Sequence, residues 1–370
     1  MKRSTLVPAF WILAFFAVAG CQQEAPPATA KIAAVVPVAQ GAAEPATDPL
    51  ASWQPAFDPS QAEYTYILSN IDHPAIAGIA VGYRIRDRVW ERSAGRLFVD
   101  FRPLAQLGGE KDVIGKLKLG AVQGMLCSSV AAANLADRLG IVSLPFVIDN
   151  FNKLEQFRTT PELWAPFRDA ALGQGIMVVD FTGYGTYGWA TTEPVETMTD
   201  ARKINFRVAQ APVNTDIYKA WGLKFPVMPW PEVPQALQTG VINGLDHTPI
   251  VCSITHKFNV ARHFTRLDYA QGLYIHLVNK RWFDSLPADL QQILLETIAE
   301  ESTRARQLTR QQQEQEIVAA AAQGVTFLAP APEAREELRK LSLPVYEKWG
   351  ERIGRGYLQT VRETLDPVPE

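Results

Sequence analysis

The segment from residue 201 to 249 carries the side chains whose types and spacing best suit the binding of a small molecule. Arg207 lies near the end of an apolar run, and Asp246 and His247 follow another one. The pattern of the segment predicts a strand, a helix, a short strand, a helix and a strand. Because ligands bind at the carboxyl ends of strands in open α/β sheets, we expect these three side chains to meet at one edge of a sheet.

The chemistry of these side chains suits either binding or catalysis. A guanidinium presents a planar pair of donors that fits a carboxylate, although an arginine that ends an apolar run often forms a structural ion pair instead. A hydrolase or lyase that used His247 and Asp246 would need a nucleophile beside a base, and the sequence offers no credible one. Ligand binding is therefore the leading hypothesis, and the hydrolase or lyase is the alternative.

Length and composition restrict the class of protein. The chain has 370 residues, which is too long for one compact core and suits two domains. Its net charge of −3 argues against nucleic acid as a partner, since nucleic-acid-binding domains carry basic patches. The three cysteines lack metal-ligand spacing, and no cofactor motif is present. Cys127 and Cys252 either form a disulfide or remain as two buried thiols.

Residues 1–60 predict export and anchoring. Residues 1–20 combine a basic start with an apolar run that is too short to span a bilayer, as in a signal peptide. Small residues directly before Cys21 resemble a bacterial lipobox, where cleavage leaves an acylated cysteine; an ordinary signal peptide is the alternative. Residues 21–60 are rich in proline and alanine and predict an extended tether. The protein is therefore expected in the periplasm, lipid-anchored to a bacterial membrane through Cys21.

From residue 64 onwards the apolar pattern predicts an α/β fold with parallel β–α–β units. Strands are expected at 64–68, 97–101, 122–127, 176–181, 272–278 and 325–328. Helices are expected at 76–92, 106–119, 154–172, 251–264, 285–322 and 333–365. The helix that begins at Ser285, a good N-cap, would be about 55 Å long at roughly 1.5 Å per residue. It would therefore extend along both domains.

Other candidate ligand contacts follow from position alone. His73, Ser128 and Ser129 come after strands of the first domain. Tyr187 lies in a run rich in glycine and aromatic residues, which suits either a crossing between the domains or a plain turn. Trp230 follows a strand and is expected either to line a cleft or to pack against the next helix.

Several segments, in this order along the chain, resemble the solute-binding proteins of tripartite ATP-independent periplasmic (TRAP) transporters of the DctP type. They are Ser93–Leu97, Gln106–Glu110, Leu119–Val122, Leu144–Val147, Ile204–Val208 and Trp282–Pro287. The most specific match is Met228–Val233 followed by Ala236–Gly244. The resemblance extends from about Tyr64 to about Leu358.

The resemblance implies a periplasmic-binding-protein fold of two α/β lobes, joined by hinge strands and a long helix, that close over a ligand. The first lobe would hold 62–185 and 274–313, and the second 186–273 and 314–370. The closed protein would deliver a small organic acid to the two-part membrane permease. A receptor that presents its ligand to a membrane sensor kinase is the alternative within the same fold.

The resemblance also implies roles for single residues. Arg207 matches the arginine that binds the substrate carboxylate. Asp246 and His247 stand where most members have glutamate and asparagine, and both are expected to contact the ligand. As in some members, a Ca²⁺ or Na⁺ ion could bridge Asp246 to the ligand, although a hard cation needs several oxygens; otherwise no cofactor is expected.

The chain departs from the family at a second position. Tyr187 and its neighbours stand where many members carry a second arginine, and no arginine occurs between Arg168 and Arg202. The departure disfavours a dicarboxylate or sialic acid held by two arginines. It favours a monocarboxylate with an apolar or aromatic body.

Overall fold

The computed structural model describes residues 54–366. The predicted signal peptide, the predicted acylation site at Cys21 and most of the predicted tether lie outside the described residues. Within the described part, no helix combines the length and the apolar character that crossing a bilayer requires.

The described residues form ten strands and fourteen α-helices. The strands are β1 (Tyr64–Ser69), β2 (Leu97–Arg102), β3 (Gly124–Ser128), β4 (Ile176–Thr186), β5 (Gly188–Thr191), β6 (Phe206–Arg207), β7 (Gly244–His247), β8 (His263–Thr265), β9 (Gln271–Asn279) and β10 (Thr326–Leu328). The helices are α1 (Ala77–Arg92), α2 (Glu110–Leu119), α3 (Ser129–Ala132), α4 (Phe151–Thr159), α5 (Pro161–Arg168), α6 (Met198–Ala201), α7 (Pro212–Ala220), α8 (Val233–Gln238), α9 (Pro249–Ile254), α10 (Lys280–Asp284), α11 (Ala288–Ala322), α12 (Pro332–Leu341), α13 (Leu343–Ile353) and α14 (Arg355–Leu365).

The strands form two sheets. The first has the order β2-β1-β3-β9-β4, in which β1 pairs in parallel with β2 and β3, while β9 is antiparallel to both of its neighbours. The second has the order β10-β8-β5-β7-β6, in which β6 and β7 are parallel. The predicted α/β class with two lobes is therefore confirmed, with one sheet in each lobe.

The chain crosses from the first sheet to the second between β4 and β5 and returns between β8 and β9. Gly185 adopts a φ of 105°, and a Cβ there would lie 2.8 Å from Gln313 Oε1. The same oxygen accepts a hydrogen bond from the Thr186 backbone amide at 2.6 Å. Gln271 Nε2 donates to Thr186 Oγ1 at 2.9 Å. The two crossings are thus bonded to each other and to α11.

Helix α11 extends along both lobes, as expected. Its 35 residues correspond to about 52 Å at 1.5 Å per residue. It packs against α1 and β4 of the first lobe and against α9 and β10 of the second. Arg306 near its middle is buried and donates to Asp180 Oδ1 of β4 at 3.1 Å. This buried ion pair fixes the helix on the first sheet.

Three helix predictions were wrong in detail. The segment 251–264 leaves the helix after α9, because His256 adopts a φ of 58° and β8 pairs with both β5 and β10. The expected helix over 154–172 is split at Thr160, which is held extended before Pro161. Ser285 caps the C-terminus of α10 rather than the start of α11, which begins after Pro287.

The C-terminal helices contact both lobes. Trp349 Nε1 of α13 donates to Asp216 Oδ2 of α7 at 3.0 Å, and the Tyr357 hydroxyl of α14 donates to the Leu163 carbonyl of α5 at 2.6 Å. The lobe limits expected from the resemblance stay a prediction.

Candidate functional site

Arg207 and Asp246 lie on neighbouring strands of the second sheet. Strands β6 and β7 are parallel, and Arg207 is the register partner of Leu245. The expected meeting at one sheet edge is therefore observed, with one correction: Asp246 and His247 lie inside β7 and do not follow it. The first residue of this strand, Gly244, has to be a glycine, because a Cβ there would lie 2.4 Å from Ile204 Cγ2.

A small cavity of about 40 Å³ lies between the two lobes. Among the predicted contacts, its lining includes Ser128, Tyr187, Arg207, Trp230, Asp246 and His247. The other lining residues are Ile71, Asp72, Glu110, Val130, Tyr184, Ala209 and Asn214. Both lobes thus contribute side chains to this interlobe cavity.

Two predicted contacts do not line the interlobe cavity. The His73 ring accepts a hydrogen bond at Nδ1 from the Ala75 backbone amide at 3.1 Å, and its pKa is lowered by burial and by His256. Ser129 is fully buried at the start of α3. Position after a strand was too weak a signal to separate these two from Ser128.

The Arg207 side chain presents unpaired donors. It is 7 % exposed, and its Nε donates to the Met228 carbonyl at 3.2 Å. Its guanidinium lies over the Trp230 ring, 5.4 Å from the centroid. Burial lowers its pKa, while Tyr187 and the nearby carboxyls oppose that change. Its two terminal nitrogens bond to no acceptor in the described part of the chain, so they are available to an anionic ligand.

The His247 ring is neutral and offers one donor. Burial, Arg207 and Lys257 hold its pKa well below the usual value. Its Nδ1 accepts a hydrogen bond from the Thr248 backbone amide at 3.0 Å, so the ring proton is placed on Nε2. Nε2 has no hydrogen-bond partner among residues 54–366. Trp230 lies 4.7 Å from the ring, centroid to centroid.

Asp246 is held by one of its two oxygens. Oδ2 accepts hydrogen bonds from the Tyr269 hydroxyl at 2.7 Å and from Asn214 Nδ2 at 3.3 Å. Oδ1 is buried with no partner among the described residues. Burial raises the pKa of Asp246 to about 7, although the Tyr269 hydroxyl and Arg207 oppose it. Asp246 therefore favours its protonated form more than an exposed carboxyl does.

The sequence analysis missed two carboxyl groups of the interlobe cavity. Asp72 Oδ2 accepts a hydrogen bond from the Tyr274 hydroxyl at 2.6 Å. Glu110 accepts two from Ser128, at 2.7 Å from the backbone amide and 2.8 Å from the hydroxyl, and burial raises its pKa to about 7. Asp72 follows β1 and Glu110 begins α2, so position at a strand or helix end was the available signal for both.

Aromatic side chains form the rest of the wall. The hydroxyls of Tyr184 and Tyr187 lie 2.6 Å apart. Lys257 lies over Trp230, with Nζ 4.8 Å from the ring centroid. Trp230 thus contacts two cations. Tyr187, which the resemblance places where many members carry a second arginine, lines the interlobe cavity.

Two further cavities bear on the choice of site. One of about 250 Å³ shares Glu110, Arg207 and Trp230 with the interlobe cavity and adjoins it. A larger one of about 610 Å³ lies against α12, α13 and α14. We favour the interlobe cavity despite its size, because it alone of the three gathers buried donors and acceptors without partners.

The described residues contain two free thiols and no cluster of metal ligands. Cys127 and Cys252 are both buried and free. No group of three or more His, Cys, Asp or Glu side chains in residues 54–366 is arranged to hold a metal ion. The Ca²⁺ or Na⁺ bridge at Asp246 stays a prediction.

Known proteins match this chain over most of its folded part. Residues 76–352 match the model of bacterial extracellular solute-binding proteins, family 7, named DctP. A solute-binding protein of Sulfitobacter sp. (strain NAS-14.1) is 27 % identical over 288 residues, which cover 75 % of this chain and 85 % of that protein. The C4-dicarboxylate-binding periplasmic protein DctP of Rhodobacter capsulatus is 28 % identical over 272 residues, 72 % of this chain and 81 % of that protein.

Solved structures share the fold. A TRAP periplasmic solute-binding protein of Shewanella oneidensis, with bound succinate, superimposes with a TM-score of 0.78 at 20 % identity, covering 82 % of this chain and 100 % of the other. The sugar acid binding protein DctPAm of Advenella mimigardefordensis, in complex with galactonate, gives 0.78 at 20 % identity, covering 82 % and 98 %. Together with the family match, these findings show that the chain belongs to the DctP family of TRAP solute-binding proteins, as its motifs predicted.

Proposed function

We propose that this protein binds a small organic acid between its lobes, through Arg207, and delivers it to the permease of a TRAP transporter. The observation that carries the proposal is the buried Arg207 guanidinium, whose terminal nitrogens meet the interlobe cavity and no protein acceptor within the described residues. A buried cation of this kind is stabilised by an anionic ligand. A carboxylate matches the planar fork of the guanidinium.

His247 can bind the same end of the ligand as Arg207. Its neutral ring keeps one proton on Nε2, which can donate to a carboxylate or carbonyl oxygen beside Arg207. Trp230 packs against both the Arg207 guanidinium and the His247 imidazole. Removing water from a charge-assisted pair in this way strengthens it.

The similar proteins support an acid as ligand. The Rhodobacter capsulatus relative is named for C4-dicarboxylates, and the two solved structures hold succinate and galactonate. This chain has Tyr187 where a second arginine would grip a second carboxylate, so we propose a ligand with one carboxylate on Arg207.

In this proposal the protein binds its organic acid without converting it chemically. It is also held at a membrane. The family is one of solute-binding proteins. The Ser128 hydroxyl donates to Glu110 at 2.8 Å, but it also caps α3 by accepting from the Ala131 backbone amide at 3.2 Å, which supports a structural role for it and not that of a nucleophile. The lipobox-like residues before Cys21 support a lipid anchor and a periplasmic location.

The experiment is a thermal-shift screen of carboxylic acids on the folded protein, with mass spectrometry of small molecules released from protein purified from its native host. Binders should raise the melting temperature of the wild type and of Arg202→Ala, a surface residue paired with Glu337, but not that of Arg207→Ala. Released acids should be chemically unchanged after incubation. A screen without binders, or a product formed from a bound acid, would contradict the proposal.

A further inference from the structure

The interlobe cavity has more acidic than basic side chains. Asp72, Glu110 and Asp246 line it, and Arg207 is the only lysine or arginine among its lining residues. Lys257 is not in the lining, although it lies close enough to lower the pKa of Asp72. Burial raises the pKa of all three carboxyls, so a ligand that brought only a carboxylate would favour their protonated forms, whereas a cationic group would favour their ionised forms. The lining therefore favours a ligand that carries a group for these carboxyls in addition to a carboxylate for Arg207.

Three buried acceptor atoms on this lining lack partners. Asp72 Oδ1, Asp246 Oδ1 and Asn214 Oδ1 are out of contact with solvent and accept no hydrogen bond within 3.5 Å from any described residue. The three side chains are 6 %, 4 % and 5 % exposed, respectively. Trp230 and Tyr218 lie near enough to lower the pKa of Asp72 and of Asp246, respectively, but do not donate within that distance. A buried acceptor without a donor destabilises a protein, so these atoms call for donors supplied by a ligand.

The acceptors come from both lobes, whereas the donors come from the second. The unpaired donors, the terminal nitrogens of Arg207 and Nε2 of His247, are on the second sheet. Asp72 follows β1 of the first sheet, whereas Asp246 lies on β7 of the second. A donor group that contacted both Asp72 and Asp246 would hold the two lobes together. One cavity is thus lined by residues with unpaired donors and by residues with unpaired acceptors.

We infer that the ligand is a small zwitterion, with its carboxylate on Arg207 and a protonated nitrogen on Asp72, Asp246 and Asn214. This inference rests on the proposed function for the carboxylate end and names the class of the molecule. An ammonium supplies three donors and a positive charge. A hydroxyl supplies one donor and no charge. It therefore satisfies fewer of the acceptors and offers no positive charge to the three carboxyls of the lining.

The test compares acids that have the same chain and differ at the far end. Calorimetry is carried out with sets such as 4-aminobutyrate, 4-hydroxybutyrate and succinate, together with shorter, longer and cyclic members of each series. The tightest binder should carry a protonated nitrogen. Its Kd should be at least tenfold lower than those of its hydroxy and dicarboxylate counterparts. Asp72→Asn and Asp246→Asn, which keep the side-chain shape, should each reduce that preference tenfold or more. Asp100→Asn, on β2 and paired with Arg102 outside the interlobe cavity, should leave it unchanged.

The outcomes separate the two claims. If hydroxy acids or dicarboxylates bind tightest, or if both asparagine variants keep the wild-type preference, the zwitterion is wrong while the carboxylate on Arg207 still stands. If no acid of any series binds, the proposed function fails and this inference fails with it. The wild-type preference needs no variant, so a variant that does not fold leaves the first criterion intact.

Discussion

Arg207 and Asp246 lie on adjacent parallel strands, yet they form no ion pair within 4.0 Å. Each influences the pKa of the other, while the Asp246 carboxylate is held by Tyr269 and Asn214 instead. The arrangement keeps the guanidinium available to a ligand. It also leaves a buried carboxyl whose protonation should be measurable.

The first prediction concerns pH and stability. The pKa of Asp246 is raised by burial to about 7, so its contribution to stability is full below the unfolded value of 3.8 and is lost as pH rises through about 7. Asp246→Asn cannot ionise. In ligand-free protein, the melting temperature of Asp246→Asn relative to wild type should therefore rise between pH 5 and pH 8, by the equivalent of about 2–4 kcal/mol.

Asp200→Asn is the matched control for this series. Hydrogen bonds from Thr197 and Lys203 lower the pKa of Asp200 to about 2, so it is ionised throughout this pH range. Its difference from wild type should stay constant from pH 5 to pH 8. A constant difference for Asp246→Asn as well would show that Asp246 is ionised in the folded protein at both pH values.

A second prediction concerns tryptophan fluorescence. Of the nine tryptophans, Trp230 contacts both the Arg207 guanidinium and the His247 ring. A bound acid should change its emission, and Trp230→Phe should remove most of that change. Trp90→Phe serves as control, because Trp90 stacks on Phe57 at 4.4 Å, away from the interlobe cavity. A ligand signal that survived in Trp230→Phe but not in Trp90→Phe would place the reporter elsewhere.

A third prediction concerns the crossing between the sheets. Gly185→Ala places a side chain at a φ of 105° and against Gln313, which should lower the free energy of unfolding by about 1–3 kcal/mol. Gly173→Ala, which meets no atom within 4 Å, should change it by less than about 0.5 kcal/mol. Chemical denaturation measures both. Equal effects would mean that the crossing tolerates a side chain.

The sequence predicted most of the strands and helices but less of the packing between them. Local periodicity was enough for β1 and α1, while β8 was mistaken for helix because its strand conformation depends on pairing with β5 and β10. The lobe-spanning helix was predicted from its length, although Pro287 and not Ser285 precedes it.

The site was predictable where a motif carried it. Arg207 and Trp230 belong to segments that resemble the family, and the structure brings them together with Tyr187, Asp246 and His247. Glu110 ends another segment that resembles the family but was not singled out, and Asp72 lies in none of these segments; both are distant in sequence from Arg207 and Trp230. Their proximity to Arg207 arises only when two sheets meet, and single-sequence patterns do not encode that distance. The same reason explains why Ser128 lines the interlobe cavity while Ser129, one residue on, does not.

The central claim is that Arg207 binds the carboxylate of an organic acid between the lobes. Titration calorimetry with the tightest acid from the screen tests it most directly, on wild type, Arg207→Ala and Arg202→Ala. Wild type and Arg202→Ala should bind one molecule with equal affinity. Arg207→Ala should lose about 2–5 kcal/mol of binding free energy, roughly 30-fold to several thousand-fold in Kd, while remaining folded. An unchanged Kd in folded Arg207→Ala would contradict the account.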